Sequence, residues 1–81
     1  MDLPLRLLIV EDSEDDVELL LRSLRSQGYL VSPAAVDTAG GMRAALAGQD
    51  WDLIICDHCM PGFSAPAALA IAKELRPDVP F

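Results

Sequence analysis

Two short apolar runs, Leu7-Leu8-Ile9-Val10 and Leu53-Ile54-Ile55-Cys56, end in carboxylates: Glu11-Asp12 follows the first and Asp57 follows the second. Runs that are apolar at every position, without alternation, are what strands covered on both faces look like, and such strands belong to parallel sheets. In a parallel sheet all strands end on the same side, where open α/β sheets keep their ligands. The pattern therefore predicts an α/β fold in which Glu11, Asp12 and Asp57 converge on one crevice. Converging carboxylates repel one another unless a cation sits among them. A hard, oxygen-seeking ion such as Mg²⁺ suits that donor set, and a carboxylate beside it is placed to attack a phosphoryl group.

The rest of the chain supplies helices between the strands. The first strand spans about residues 5–10 and should be central. Ser13-x-x-Asp16 resembles a capping box with Asp for the usual Glu, and Glu14, Asp15 and Asp16 favour the positive end of the helix dipole. Asp15 and Asp16 are therefore assigned to the helix start before any metal. Val17, Leu20, Leu21 and Leu24 recur at helical spacing, and Gly28 supplies the stop. A second strand, about residues 29–36, contains Pro33, which cannot donate to a ladder and so belongs on an edge. Thr38 is a candidate cap for a helix to about Ala47 with Met42, Ala45 and Leu46 inward, while Gly40-Gly41 weakens its first turn by about 1 kcal/mol per glycine relative to Ala. Trp51 should pack under the third strand, residues 53–56, and the functional loop should run over residues 57–64. Pro66 fits the first turn of a third helix with Ala68, Leu69, Ala72 and Leu75 inward, ended by Pro77.

Composition narrows the classes. Eighty-one residues make at most one domain, and so short a chain buries only about 60% of its unfolded surface, so stability should be marginal. A hydrophobic content of 52% argues against disorder. No apolar stretch approaches the ~20 residues of a membrane span. The net charge of −7 disfavours nucleic acid and anionic membranes as partners. Met1-Asp2-Leu3-Pro4 opens without a basic segment and apolar core, so no signal peptide is expected and a cytoplasmic location is the default.

The apolar strand, Glu11-Asp12, capped helix, second strand and helix, then Asp52-Leu53-Ile54-Ile55-Cys56-Asp57-x-x-Met60-Pro61-Gly62 together resemble the receiver domain of two-component response regulators. The likeness covers about residues 5–81. It implies a flavodoxin-like, doubly wound parallel sheet, here a partial (β-α)3 with strand order 2-1-3, in which Pro33 would lie on the edge. Right-handed crossovers would then put the first helix on one face and the second and third on the other. It implies that Asp57 accepts a phosphoryl group from a phosphohistidine of a sensor histidine kinase or phosphotransfer protein. Glu11, Asp12, Asp57 and the backbone carbonyl of Cys59 would hold Mg²⁺. The domain would be a phosphoacceptor, not an enzyme.

Departures from the family pattern carry expectations of their own. Receivers have five β-α units, with a switch Thr or Ser and a Lys at the fourth and fifth strand ends, whereas this sequence reads as the first three units, a truncated receiver over residues 1–81. Its one lysine, Lys73, falls in the third helix. Phosphoryl transfer is therefore expected to be slow, and strand three, lacking a neighbour, is expected to promote self-association through its open edge. Ala65-Pro66 stands where many receivers have a glycine, which leaves the loop's path open.

Cys56-x-x-Cys59 is a weak zinc or redox signal, because no second Cys/His pair completes four ligands and the motif does not open a helix. The plainer reading is a small strand residue followed by a loop residue, with His58 exposed between them. Two other functions compete: a non-signalling dimerisation or interaction module that retains the acidic pocket, and a phosphohydrolase with an aspartyl-phosphate intermediate. The latter class places a second aspartate two residues after the first, where this chain has Cys59.

Overall fold

A strand whose odd and even residues are both apolar needs cover on both faces. The computed structural model describes residues 3–56 and 62–81 and meets that need with helices on either side of a three-stranded parallel sheet. The elements run β1 (Leu3–Val10), α1 (Glu14–Ser26), β2 (Tyr29–Val36), α2 (Ala39–Gly48), β3 (Leu53–Cys56) and α3 (Ala65–Leu75). The strand order is β2-β1-β3. The α/β class, the central first strand and the order 2-1-3 are thus as expected.

Register fixes the sheet. All of β1 pairs with β2, Leu3 opposite Tyr29 through Val10 opposite Val36, whereas only Leu7 to Val10 also pair with β3. β1 begins at Leu3, earlier than the apolar pattern indicates, because the Leu3 N–H donates to the Gly28 carbonyl at 2.9 Å and extends the ladder outward. Pro4 lies in that outer half, where β1 has only one neighbouring strand. Pro33 lies on the edge strand β2, where a missing N–H is tolerated.

Alternation along β1 then sorts the core into two layers. Leu7 and Ile9 pack with Leu21 and Val31 on the α1 side, supported by Val17, Leu20, Leu24, Leu53 and Ile55. Leu8, Val10 and Ile54 join Met42 and Leu46 of α2, Trp51, Phe63, and Ala68, Ile71 and Ala72 of α3 on the other. This is the distribution that right-handed crossovers demand. Among the described residues no polar side chain is buried. None of their helices is long and apolar enough to cross a membrane.

Caps set the helix limits. Ser13, Thr38 and Ser64 each accept a hydrogen bond from the backbone N–H three residues on, at 3.3, 3.0 and 3.2 Å. Gly28, with φ 95°, reverses the chain after α1 in the left-handed region that glycine enters freely. In α3, Ala68 and Ala72 are buried as expected and are joined by Ala65 and Ile71, whereas Leu69 is half-buried and Leu75 is exposed. Leu75 shares a helix side with Ala68 but is the last residue of α3, at the margin of the core.

β3 is held at its start and on its outer side. The Trp51 indole N–H donates to the Ala45 carbonyl at 2.9 Å, tying the strand's approach to α2. Asp52 receives the Arg6 backbone N–H at 2.8 Å and the Arg6 guanidinium at 3.0 and 3.2 Å. The Ile54 N–H donates to the Pro80 carbonyl at 2.9 Å, and Val79 is buried in the core, so the outer edge of β3 is partly engaged by the chain itself.

Two outcomes follow. A Cβ on Gly40 would meet nothing within 4 Å, whereas one on Gly41 would lie 3.0 Å from Thr38 Oγ1 and 3.6 Å from Val36. Gly40→Ala should therefore stabilise the chain by about 0.5–1 kcal/mol in urea unfolding, and Gly41→Ala should not. The side-chain and backbone N–H groups of Arg6 hold the Asp52 carboxyl at about 2, below its ordinary 3.8. A depressed carboxylate stabilises the fold above its unfolded value and loses that contribution as pH falls through its folded value. The difference in urea midpoint between wild type and Asp52→Asn should accordingly be full at neutral pH and shrink from about pH 4 toward about pH 2.

Candidate functional site

Val10 is opposite both Val36 and Cys56, so the three strands stop level with one another. Glu11-Asp12 after β1 and Asp37 after β2 leave the sheet from one edge, and in the sequence Asp57 follows Cys56, the last residue of β3. The Glu11 N–H donates to the Val36 carbonyl at 2.9 Å, which carries the β1–β2 pairing past the end of the strand.

Glu11 is half-buried and turned toward the start of α1. Its Oε1 accepts the backbone N–H groups of Asp12 and Ser13, each at 3.0 Å. These donors lie where a helix entrance carries partial positive charge, which suits a carboxylate. Asp12 is exposed beside it. Together they border an open groove of about 450 Å³ whose other walls are Glu14, Val17, Glu18, Ala35, Val36 and Asp37. Its lining combines three apolar residues with five carboxylates.

The structure thus brings Glu11 and Asp12 together at the expected edge. Asp57 and Cys59, the other members of the expected metal set, lie outside the described residues, as does His58. Among the described residues no group of three His, Cys, Asp or Glu side chains is arranged to hold a metal. Glu11 and Asp12 offer hard oxygen donors that fit Mg²⁺ and would need a further ligand to complete a site. Asp15 and Asp16 sit in the first turn of α1 and do not line the groove, in keeping with their assignment to the helix start.

Asp37 and Glu18 also face this groove and were not singled out from sequence. Asp37 carried a signal that could have found it, since it follows β2 as Glu11 follows β1. Glu18 stands one helical turn after Glu14, a spacing that places both on one face. On the far side of residues 57–61, Gly62 has φ 81°, Phe63 is buried and Ser64 caps α3.

Comparison of the chain with protein-family models and with curated proteins finds no match.

The two acids can be separated by experiment in metal-free buffer. Glu11→Ala removes the acceptor of two backbone N–H groups and should cost about 1 kcal/mol in urea unfolding. Asp12→Ala removes an exposed charge from a crowded acidic edge and should change stability by no more than about 0.5 kcal/mol.

Proposed function

We propose that this chain is a receiver module of a two-component phosphorelay, with a partial flavodoxin-like fold, that accepts a phosphoryl group on Asp57. One observation carries the reading: β1 and β3 are adjacent and parallel and end in register, so the acidic pair Glu11-Asp12 and the residue Asp57 follow neighbouring strand ends. Asp57 would act as nucleophile toward the phosphorus of a phosphohistidine on a sensor kinase or phosphotransfer protein. The new bond is O–P, the P–N bond breaks, and the electron pair leaves with the imidazole. Mg²⁺, held by Glu11, Asp12, Asp57 and the backbone carbonyl of Cys59, would neutralise charge on the transferred oxygens. Glu11 and Asp12 keep the edge strongly negative, so that it favours a cation over a free anion.

A second reading, an interaction module without phosphotransfer, draws on a different feature. The outer side of β3 forms an apolar groove of about 420 Å³ lined by Leu53, Ile54, Ile55, Cys56 and Phe81. Exposed strand edges of this kind promote pairing between chains.

The deciding measurement is incubation of the 81-residue chain with acetyl phosphate and Mg²⁺, read by intact mass beside Asp57→Asn. The expected result is a slow, Mg²⁺-dependent single-phosphate adduct that is lost in the variant. An adduct that persists in Asp57→Asn, or none on a chain shown by circular dichroism to be folded, overturns the phosphoacceptor reading.

A further inference from the structure

The two edges of the sheet are defended differently. In β2 the carbonyls of Gly28 and Val36 accept the Leu3 and Glu11 N–H groups at 2.9 Å, so alternation along the strand turns Pro33 toward the open side, where it has no N–H to offer a further strand. β3, Leu53-Ile54-Ile55-Cys56, has neither a proline nor a charged residue, the usual guards of an edge.

What lies against β3 is a later segment of the chain itself. The Arg76 carbonyl accepts the Val79 N–H at 3.2 Å, closing a turn with Pro77 at the position that proline favours. Val79 is buried in the core, the Pro80 carbonyl accepts the Ile54 N–H at 2.9 Å, and Phe81 borders the apolar groove with Leu53, Ile54, Ile55 and Cys56. Residues 77–81 thus form a strap, and its hold on the edge is light. Pro80 has no N–H to give back to β3, and Phe81 is 43% exposed. Ile54 has a single backbone donor, so a strand that pairs along the outer side of β3 must take it from Pro80.

We propose that residues 77–81 are a displaceable strap, and that the partner they hold off is the β3 edge of a second copy of this chain, paired antiparallel about a two-fold axis. This gives the interaction reading above its partner and rests on it; phosphotransfer plays no part. Two features select the copy. A strand edge turned through a two-fold offers each copy the same donors and acceptors, which is the requirement of an isologous contact. Charge supplies the second: a chain of net charge −7 repels its own copy over most of its surface, but β3 is uncharged. Antiparallel pairing also sets the strand ends near Glu11, Asp12 and Asp37 of one copy toward the start of β3 in the other, where Arg6 and Arg76 balance Asp52 and Asp50. Parallel pairing would bring the two acidic ends together.

The test is sedimentation equilibrium of the 81-residue chain over a wide concentration range, with circular dichroism showing each variant folded. Wild type should be in monomer–dimer exchange. Pro77→Gly frees the open strap to sample more conformations and should tighten dimerisation by about two- to fivefold. Phe81→Ala removes strap packing and should act in the same direction. Ile55→Lys puts a charge into the groove of both copies and should abolish the dimer. Leu30→Lys is the control, since Leu30 is an exposed leucine on β2, and it should leave the dimer unchanged. The two strap variants change exposed residues, so the test still decides if Ile55→Lys does not fold.

Wild type and both strap variants monomeric at every concentration would overturn the proposal and the interaction reading together. Dimers that persist in Ile55→Lys, or that Pro77→Gly and Phe81→Ala weaken, would overturn the strapped β3 edge alone and leave an interaction surface elsewhere on the chain.

Discussion

Everything in this structure depends on the burial of Leu7-Leu8-Ile9-Val10. Leu7, Leu8 and Val10 have no exposed surface and Ile9 has 2%. At about 1.5–3 kcal/mol for each fully buried side chain, these four are comparable to the net stability of a typical small domain, about 5–15 kcal/mol. Such a strand can be neither an edge nor a surface element. Its centrality forces β2 and β3 to either side and helices onto both faces, and that arrangement makes the three strand ends level.

Electrostatic contacts adjust this frame more than they create it. Arg43 with Glu74 at 3.0 Å joins α2 to α3, Arg76 with Asp50 at 2.9 Å ties the end of α3 to the turn before β3, and Glu18 with Arg22 lies along α1. These pairs are largely exposed, and exposed pairs contribute about 0–1 kcal/mol each. Arg6 and Asp52 differ in kind, because backbone and side chain of one residue grip the same carboxylate. That geometry aligns the start of β3 just before its register with β1 begins.

Local grammar was legible in the sequence and long-range closure was not. Strand centrality, the caps at Ser13 and Thr38, the stop at Gly28 and the edge position of Pro33 are written in adjacent residues, and the structure has each of them. Periodicity places Leu75 on the buried side with Ala68 and Ala72, but it is the last residue of α3 and is exposed, because a helical repeat does not record how far the core extends along the helix. The Arg6–Asp52 grip and the Ile54–Pro80 bond join residues far apart in the chain, so no window of sequence contains them. Glu11 and Asp12 were recognisable as candidates because they follow an apolar run. Asp37 obeys the same rule, but the strand before it is interrupted by Ser32 and Pro33 and looks less like a strand end.

The acidic edge has an energetic consequence that ties fold to proposed function. Glu11, Asp12, Glu14, Glu18 and Asp37 surround one open groove on a chain of net charge −7. These carboxylates repel one another, while the two backbone donors on Glu11 and the start of α1 work against that repulsion. A ligand that binds the native edge and not the unfolded chain stabilises the fold by mass action. A cation does this twice over, through its own binding and by relieving repulsion already present. Under the proposed reading, an ion held at this edge would therefore add to the stability of the fold, drawing on carboxylates that repel one another in the bare chain.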